Sequence, residues 1–297
     1  MPEYSEFSEF SYGYALVDNL ARSGGWGGFA AAPRFISLSQ EGSVGGGFDV
    51  ALDFVAWPFF LQFKIPQIMR RRSAGMPTGF HTPYFRMHLR TERVNSSGMT
   101  QHEQLMELER VNPLSAFYVA PRFHTTDELD QHYLTHRVHD ESEWFSLGGF
   151  DSSTPLTREP HRIAYDFAPD KCVVQSTPAP FNLRRPFKEV ASMLGARLKD
   201  LYPTEPELWL YNLENTISSI TSDRSRISNV DTKGPIIGPA FDQGSRKPTR
   251  RFLSDGEKNE FHFRLQNLAK SVRIRMDAEL ILAMPASAEF PPHSPPL

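Results

Sequence analysis

The stretch GGFDVALDFVAWPFFLQFKI, residues 46–65, decides how this chain is read. Its glycines make a turn, and the run from Phe48 to Phe54 then alternates, with Asp49, Ala51 and Asp53 pointing one way and Val50, Leu52 and Phe54 the other. A second strand is expected from Pro58 to Ile65, with Phe60, Gln62 and Lys64 on one side and Phe59, Leu61, Phe63 and Ile65 on the opposite side. That opposite side is strongly apolar and must be core. With Val55 to Pro58 as a hairpin turn, antiparallel pairing sets Asp49 opposite Lys64 and Ala51 opposite Gln62. An acid, an amide and an ammonium then meet on one patch. The competing reading is the solvated face of an edge hairpin.

Upstream of this pair, Ser5 to Arg22 reads as a helix, because Phe10, Tyr14, Val17 and Ala21 recur at helical spacing and the glycines from Gly24 end it. Glu9 falls in or near the first turn, with Glu6 as the second choice for the same role. Phe35, Ile36 and Leu38 form a further short strand. Downstream, a basic, turn-rich insertion carries Arg70, Arg71 and Arg72, and an extended segment from Tyr84 to Arg90 puts Arg86 and Arg90 on one face. Thr100 and Glu103 have capping-box spacing and open a helix that Asn112 and Pro113 close, so Gln101 and His102 stand in its first turn. Ala116 to Ala120 is a buried strand, and Thr125 with Glu128 opens another helix through about Arg137.

The order is helix, three strands, helix, strand, helix, which predicts an α+β core: a mixed, twisted sheet flanked by helices over residues 1–140. Residues 141–284 read as a mixed and then mostly helical part, with short strands near Ile163 to Phe167 and Cys172 to Gln175 and helices near Pro186 to Leu201 and Glu205 to Thr221. A polar loop from Ser222 to Arg251 leads to a last helix whose apolar stripe runs from Phe261 to Ala283, towards Pro285. Residues 285–297 are proline-rich and expected to be disordered.

Composition narrows the function classes. A net charge of −3 over 297 residues denies any global basic field, so contact with nucleic acid must come from local arginine clusters. The single cysteine, Cys172, excludes an internal disulfide framework. No run approaches the roughly 18 apolar residues of a membrane span, and the first residues do not read as a signal peptide, so a cytoplasmic protein with no membrane contact is expected. His132 and His136 lie one helical turn apart but without the glutamate of an HExxH site, and read as a polar helix face.

The chemistry expected is metal-assisted. Hydrolysis of a phosphodiester needs hard oxygen ligands for Mg2+ or Mn2+ and a cation beside the reacting phosphate. Asp49 suits the ion, Gln62 adds an amide oxygen or holds a water, Lys64 stabilises charge on the phosphate, and Glu9 completes the site from the first helix. A neutral glutamine binds the cation less strongly than an acid, which raises the weight on Glu9. Arg70, Arg71, Arg72, Arg86 and Arg90 are candidates for holding phosphates, and Gln101 and His102 for auxiliary polar groups; the alternatives are solvated loop arginines and simple capping.

GGFDVALDF (46–54) followed by FLQFK (60–64) resembles the PD-(D/E)xK, or restriction-endonuclease-like, superfamily, in the Mrr-like variant whose last acid is Gln. The resemblance covers about Ser5 to Ala120. It implies that Asp49 is the metal-binding acid, Gln62 the substituted acid, Lys64 the motif lysine and Glu9 or Glu6 the first-helix acid. Phe48 stands where the motif's proline would, and the insertion before the second helix is long. A wider resemblance of EFSYGY (9–14), FLQFK and YVAPRFHT (118–125) to segments of bacterial proteins implies one compact domain, in a setting of genome defence. The implied function is a metal-dependent nuclease acting on DNA ahead of RNA, with a protein partner also open. A non-catalytic subunit that keeps the fold for binding nucleic acid or protein is the alternative.

Overall fold

The computed structural model describes residues 2–23, 28–29, 57–72, 76–77, 79–89, 100–149, 161–167, 172–174, 184–199, 206–221, 255–276 and 278–284. The expected strands around Phe35 to Leu38 and Phe48 to Phe54, the loop from Ser222 to Arg251 and the tail after Pro285 lie outside them, as do Asp49 and Arg90. The fold is α+β: two sheets and, among the described residues, six α-helices.

Strand β3 (Trp57–Phe63) is the hub. It runs parallel to β6 (Ala116–Pro121) and antiparallel to β11 (Glu279–Met284), within a six-stranded sheet that also holds β2 (Gly28–Phe29), β7 (Ser142–Ser146) and β10 (Arg184–Arg185) in the order β10-β7-β6-β3-β11-β2. The hairpin reading is corrected for residues 57–61, whose antiparallel neighbour is β11, a segment from the far end of the chain, while β6 takes the other edge at residues 60–63.

Glu279–Met284, ELILAM, was expected to continue the last helix. That helix, α6 (Asp255–Met276), ends earlier. A short apolar run suits either state by periodicity, and the open backbone edge of β3 decides for the strand by supplying its hydrogen bonds. SEWFS (142–146) likewise becomes β7 by pairing with β6.

The helices read from local signals stand close to where expected. Thr100 and Thr125 both close complete capping boxes, with Glu103 and Glu128, and open α2 (Gln101–Val111) and α3 (Thr126–Leu134). Helix α1 (Glu9–Arg22) starts at Ser8, whose hydroxyl accepts from the Ser11 N–H at 3.0 Å. Its buried residues include Tyr12, Leu16, Val17 and Leu20, while Phe10 and Tyr14, two of the residues whose spacing predicted the helix, are exposed. Both stripes have helical spacing, so periodicity alone could not choose between them.

Helices α1, α3 and α4 (Phe187–Lys199) cover one face of the large sheet, packing Tyr12, Leu16, Leu129, Phe187 and Val190 against Phe59, Leu61, Phe63, Phe117 and Trp144. The other face, with Phe60, Tyr118 and Phe145, belongs to a second cluster filled by α2, α5 (Pro206–Thr221), α6 and the inner side of a second sheet. That antiparallel sheet joins β1 (Pro2–Tyr4), β4 (Gln67–Met69), β5 (Tyr84–Leu89), β8 (His161–Tyr165) and β9 (Cys172–Val174) in the order β1-β4-β5-β8-β9. Both sheets draw strands from before and after residue 140, so the boundary expected there does not separate two sheets.

Candidate active site around Gln62 and Lys64

Because β3 is covered on both faces, the polar side of its alternation is interior. Gln62 is 0% exposed, on the face of Phe60 and beside its register partner Tyr118. Among the described residues, neither its Oε1 nor its Nε2 has a hydrogen-bond partner. A buried amide left unsatisfied costs about 1–3 kcal/mol, so this side chain opposes folding unless something else meets it.

Lys64 follows one residue beyond β3, its backbone N–H donating to the Val119 carbonyl at 2.9 Å, and it is 6% exposed. Parallel strands end their hydrogen-bonded ladder here, and the carboxyl ends of such strands are where ligands of α/β sheets gather.

Helix α2 adds polar groups to the same cluster. Gln101 Nε2 donates to the Met276 carbonyl at 2.7 Å, pinning the end of α6. The His102 ring stacks on Tyr118 with centroids 5.9 Å apart, and its Nδ1 lies 2.9 Å from the Tyr118 hydroxyl. Burial, with a smaller contribution from His161, pushes the His102 imidazole down to about 3, so it is neutral at ordinary pH. Both first-turn residues singled out from the sequence are thus buried in the fold, and neither is solvated cap surface.

Helix α1, which Glu9 begins, packs on the face of Phe59, Leu61 and Phe63, opposite to Gln62. The closeness of that packing is set by Gly13, where an added Cβ would lie 2.6 Å from ring carbons of Phe63. Glu6 is tied to α3: its backbone N–H donates to the His124 carbonyl at 2.8 Å, and its carboxylate accepts from the Thr126 N–H at 3.0 Å. That is an acid at a helix N-terminus, a structural role.

The arginine set divides. Arg70 pairs with Glu3 at 2.5 Å and approaches His124 Nε2 at 3.0 Å, fastening the first strand. Arg71 and Arg72 are exposed on the following turn. Arg86 lies on β5 and donates to Gln67 Oε1 at 2.7 Å. The histidines do not converge either: His124 sits among Glu3, Glu128 and Arg70, His132 packs on Phe123, and His139 on Phe187.

For a hard divalent cation, the described residues offer the orphaned Gln62 oxygen, and among them no group of three or more His, Cys, Asp or Glu gathers. A single neutral oxygen suits Mg2+ as one ligand of its octahedral set, and Asp49, the acid expected beside it, lies outside the described residues. Among the described residues no helix is long and apolar enough to cross a membrane.

Sequence reading missed the partners of this cluster, Tyr118 and His161, because an all-apolar strand and a lone histidine carry no local signal. It also missed the buried ion pair of Arg184 with Glu143, which joins β10 to β7 and to which Arg122 Nε adds a contact at 3.3 Å. No protein-family model, curated protein or solved structure matches the chain.

Proposed function

We propose that the chain is a metal-dependent nuclease that hydrolyses phosphodiester bonds of DNA, with RNA the lesser substrate. The observation that carries this reading is the fully buried, unpartnered Gln62 carboxamide two residues before the buried Lys64, at the carboxyl end of a parallel strand. Asp49 and Gln62 would hold Mg2+ or Mn2+, with Glu9 as the acid expected from helix α1, which packs on the other face of β3. The ion would supply a Lewis acid for the phosphodiester. Lys64 supplies positive charge for the phosphate as charge builds on it. His102, neutral and hydrogen-bonded with Tyr118, keeps the floor of the site polar without adding charge.

The test is cleavage of labelled DNA by purified protein in Mg2+ or Mn2+. Asp49→Ala and Lys64→Ala are expected to abolish cleavage while circular dichroism stays unchanged. Undiminished cleavage by both variants discards the mechanism.

One observation favours the second reading, a non-catalytic binding subunit: helix α1, which carries Glu9, packs on the face of the sheet opposite Gln62, and these are two of the three groups expected to hold the ion. Calorimetric titration with Mn2+ distinguishes the two. A nuclease binds the ion and loses it in Asp49→Asn; a binding subunit gives no heat.

A further inference from the structure

The second sheet turns Phe85, Met87, Leu89, Ile163 and Tyr165 into the large core. Alternation therefore places Tyr84, Arg86 and His88 of β5, and Arg162 and Ala164 of β8, on its other face. The register sets His88 directly opposite Arg162, and Arg86 opposite Ala164 on the same face. Directly opposed side chains have Cβ atoms about 4.5–5.5 Å apart, and like charges so placed destabilise a sheet.

Three groups able to carry positive charge thus share one patch, and among the described residues no carboxylate pairs with any of them. Burial and then Arg162 lower the proton affinity of Arg86; burial and then both arginines lower that of His88. Among the described residues, Arg86 donates to the neutral amide oxygen of Gln67.

Two donors on this face are buried and have no hydrogen-bond partner among the described residues: Arg86 Nε and the hydroxyl of Tyr84, a side chain 0% exposed. Phe80 packs edge-on to the Tyr84 ring with centroids 5.5 Å apart, closing that end of the patch, while Arg162 stays exposed at the other. Tyr84 and Arg86 stand two residues apart on β5 and so share its face. Orphaned donors beside unbalanced positive charge call for an anion with several acceptor oxygens. In the row that runs through Gln67 and Arg86, Tyr4 presents an exposed ring on the same face.

We infer that this face of the second sheet holds a backbone phosphate of single-stranded nucleic acid through Arg86, Tyr84 and Arg162, with Tyr4 stacking on a base. The site is separate from Gln62, and it rests on the nuclease reading for the kind of polymer alone. Phosphate contacts of this type give salt-dependent affinity, and an aromatic ring tolerates any base.

The experiment is fluorescence anisotropy of the full chain with a short labelled oligothymidylate in EDTA, which keeps metal-dependent cleavage off. Arg86→Gln and Arg162→Gln are each expected to weaken binding about tenfold and to reduce the salt slope by about one. Tyr84→Phe, which keeps the ring against Phe80, should weaken it several-fold. Unchanged affinity in the Arg86→Gln/Arg162→Gln double variant overturns the site. Equal competition by polyglutamate, or binding of inorganic phosphate without the oligonucleotide, overturns the polymer. Loss of cleavage in Lys64→Ala with oligonucleotide affinity intact is the expected separation of the two sites; binding that disappears with Lys64→Ala and survives the arginine substitutions overturns this one.

Discussion

Gly13 of α1 lies against the ring of Phe63 on β3 so closely that a methyl group there would sit 2.6 Å from two ring carbons. Phe63 is itself buried, with Tyr12 edge-on to it at 6.0 Å, so the ring has little room to yield. Gly13→Ala gains up to about 1 kcal/mol of helix propensity, yet overpacking a core costs about 1–3 kcal/mol. The expected net result is a lower denaturant midpoint. An unchanged or raised midpoint in urea would show that the helix can shift away from β3.

Gln62 gives the most direct separation of core residue from ligand. In EDTA, Gln62→Leu removes two unsatisfied atoms and should stabilise the protein by about 1–3 kcal/mol. Added Mn2+ is expected to raise the melting temperature of the parent chain and leave the Leu variant unmoved. Equal shifts in both would remove Gln62 from the metal set.

Glu109 makes stability depend on pH in an unusual direction for a carboxyl group. It accepts from the N–H groups of Leu114, Ser115 and Ala116 at 2.8–2.9 Å, holding the turn between α2 and β6. Burial outweighs these bonds and raises its pKa from 4.5 to about 7. Between those values the folded state keeps a proton that the unfolded chain releases. Its contribution to stability is therefore fully present below the unfolded value and lost as pH rises to about 7, on the order of 3 kcal/mol. Urea midpoints should fall between pH 5 and pH 8, and the fall should shrink in Glu109→Gln. The same slope in both chains would assign the effect elsewhere.

Arg184 and Glu143 form a buried pair, and removing one partner strands the other charge. Arg184→Met is expected to cost about 3–5 kcal/mol, and Glu143→Met with Arg184→Met together less than the sum of the singles. Additive losses in a double-mutant cycle would show that the two side chains act independently.

Cys172 should be chemically silent. Burial pushes its thiol up to about 12, so almost no thiolate exists at pH 8. Labelling by a thiol reagent is expected to follow global unfolding; fast labelling of the native protein would show that β9 opens locally.

Elements marked by short-range chemistry were legible in the residues themselves. The two capping boxes, helix α1, read from Ser5 and found from Glu9, and the apolar strands at Trp57–Phe63 and Ala116–Pro121 depend on side chains within a few positions of one another. What failed were choices between equal local options: which stripe of α1 is buried, and whether ELILAM extends α6 or pairs with β3. The candidate site divides in the same way. Gln62 and Lys64 were found by alternation, whereas their enclosure, and the distance in the fold between Glu9's helix and Gln62's face, depend on elements far away in the chain.

By itself the sequence determined the α+β class, most helix starts and the strand that bears Gln62 and ends just before Lys64, because these follow from backbone hydrogen bonds satisfied locally and from side-chain period. Tertiary structure alone decided that β3 is an interior strand between β6 and β11, that its polar residues are buried, and that Arg86, His88 and Arg162 crowd one patch. The reason is that strand pairing and core burial are set by contacts between distant segments, whose free energy no local pattern encodes.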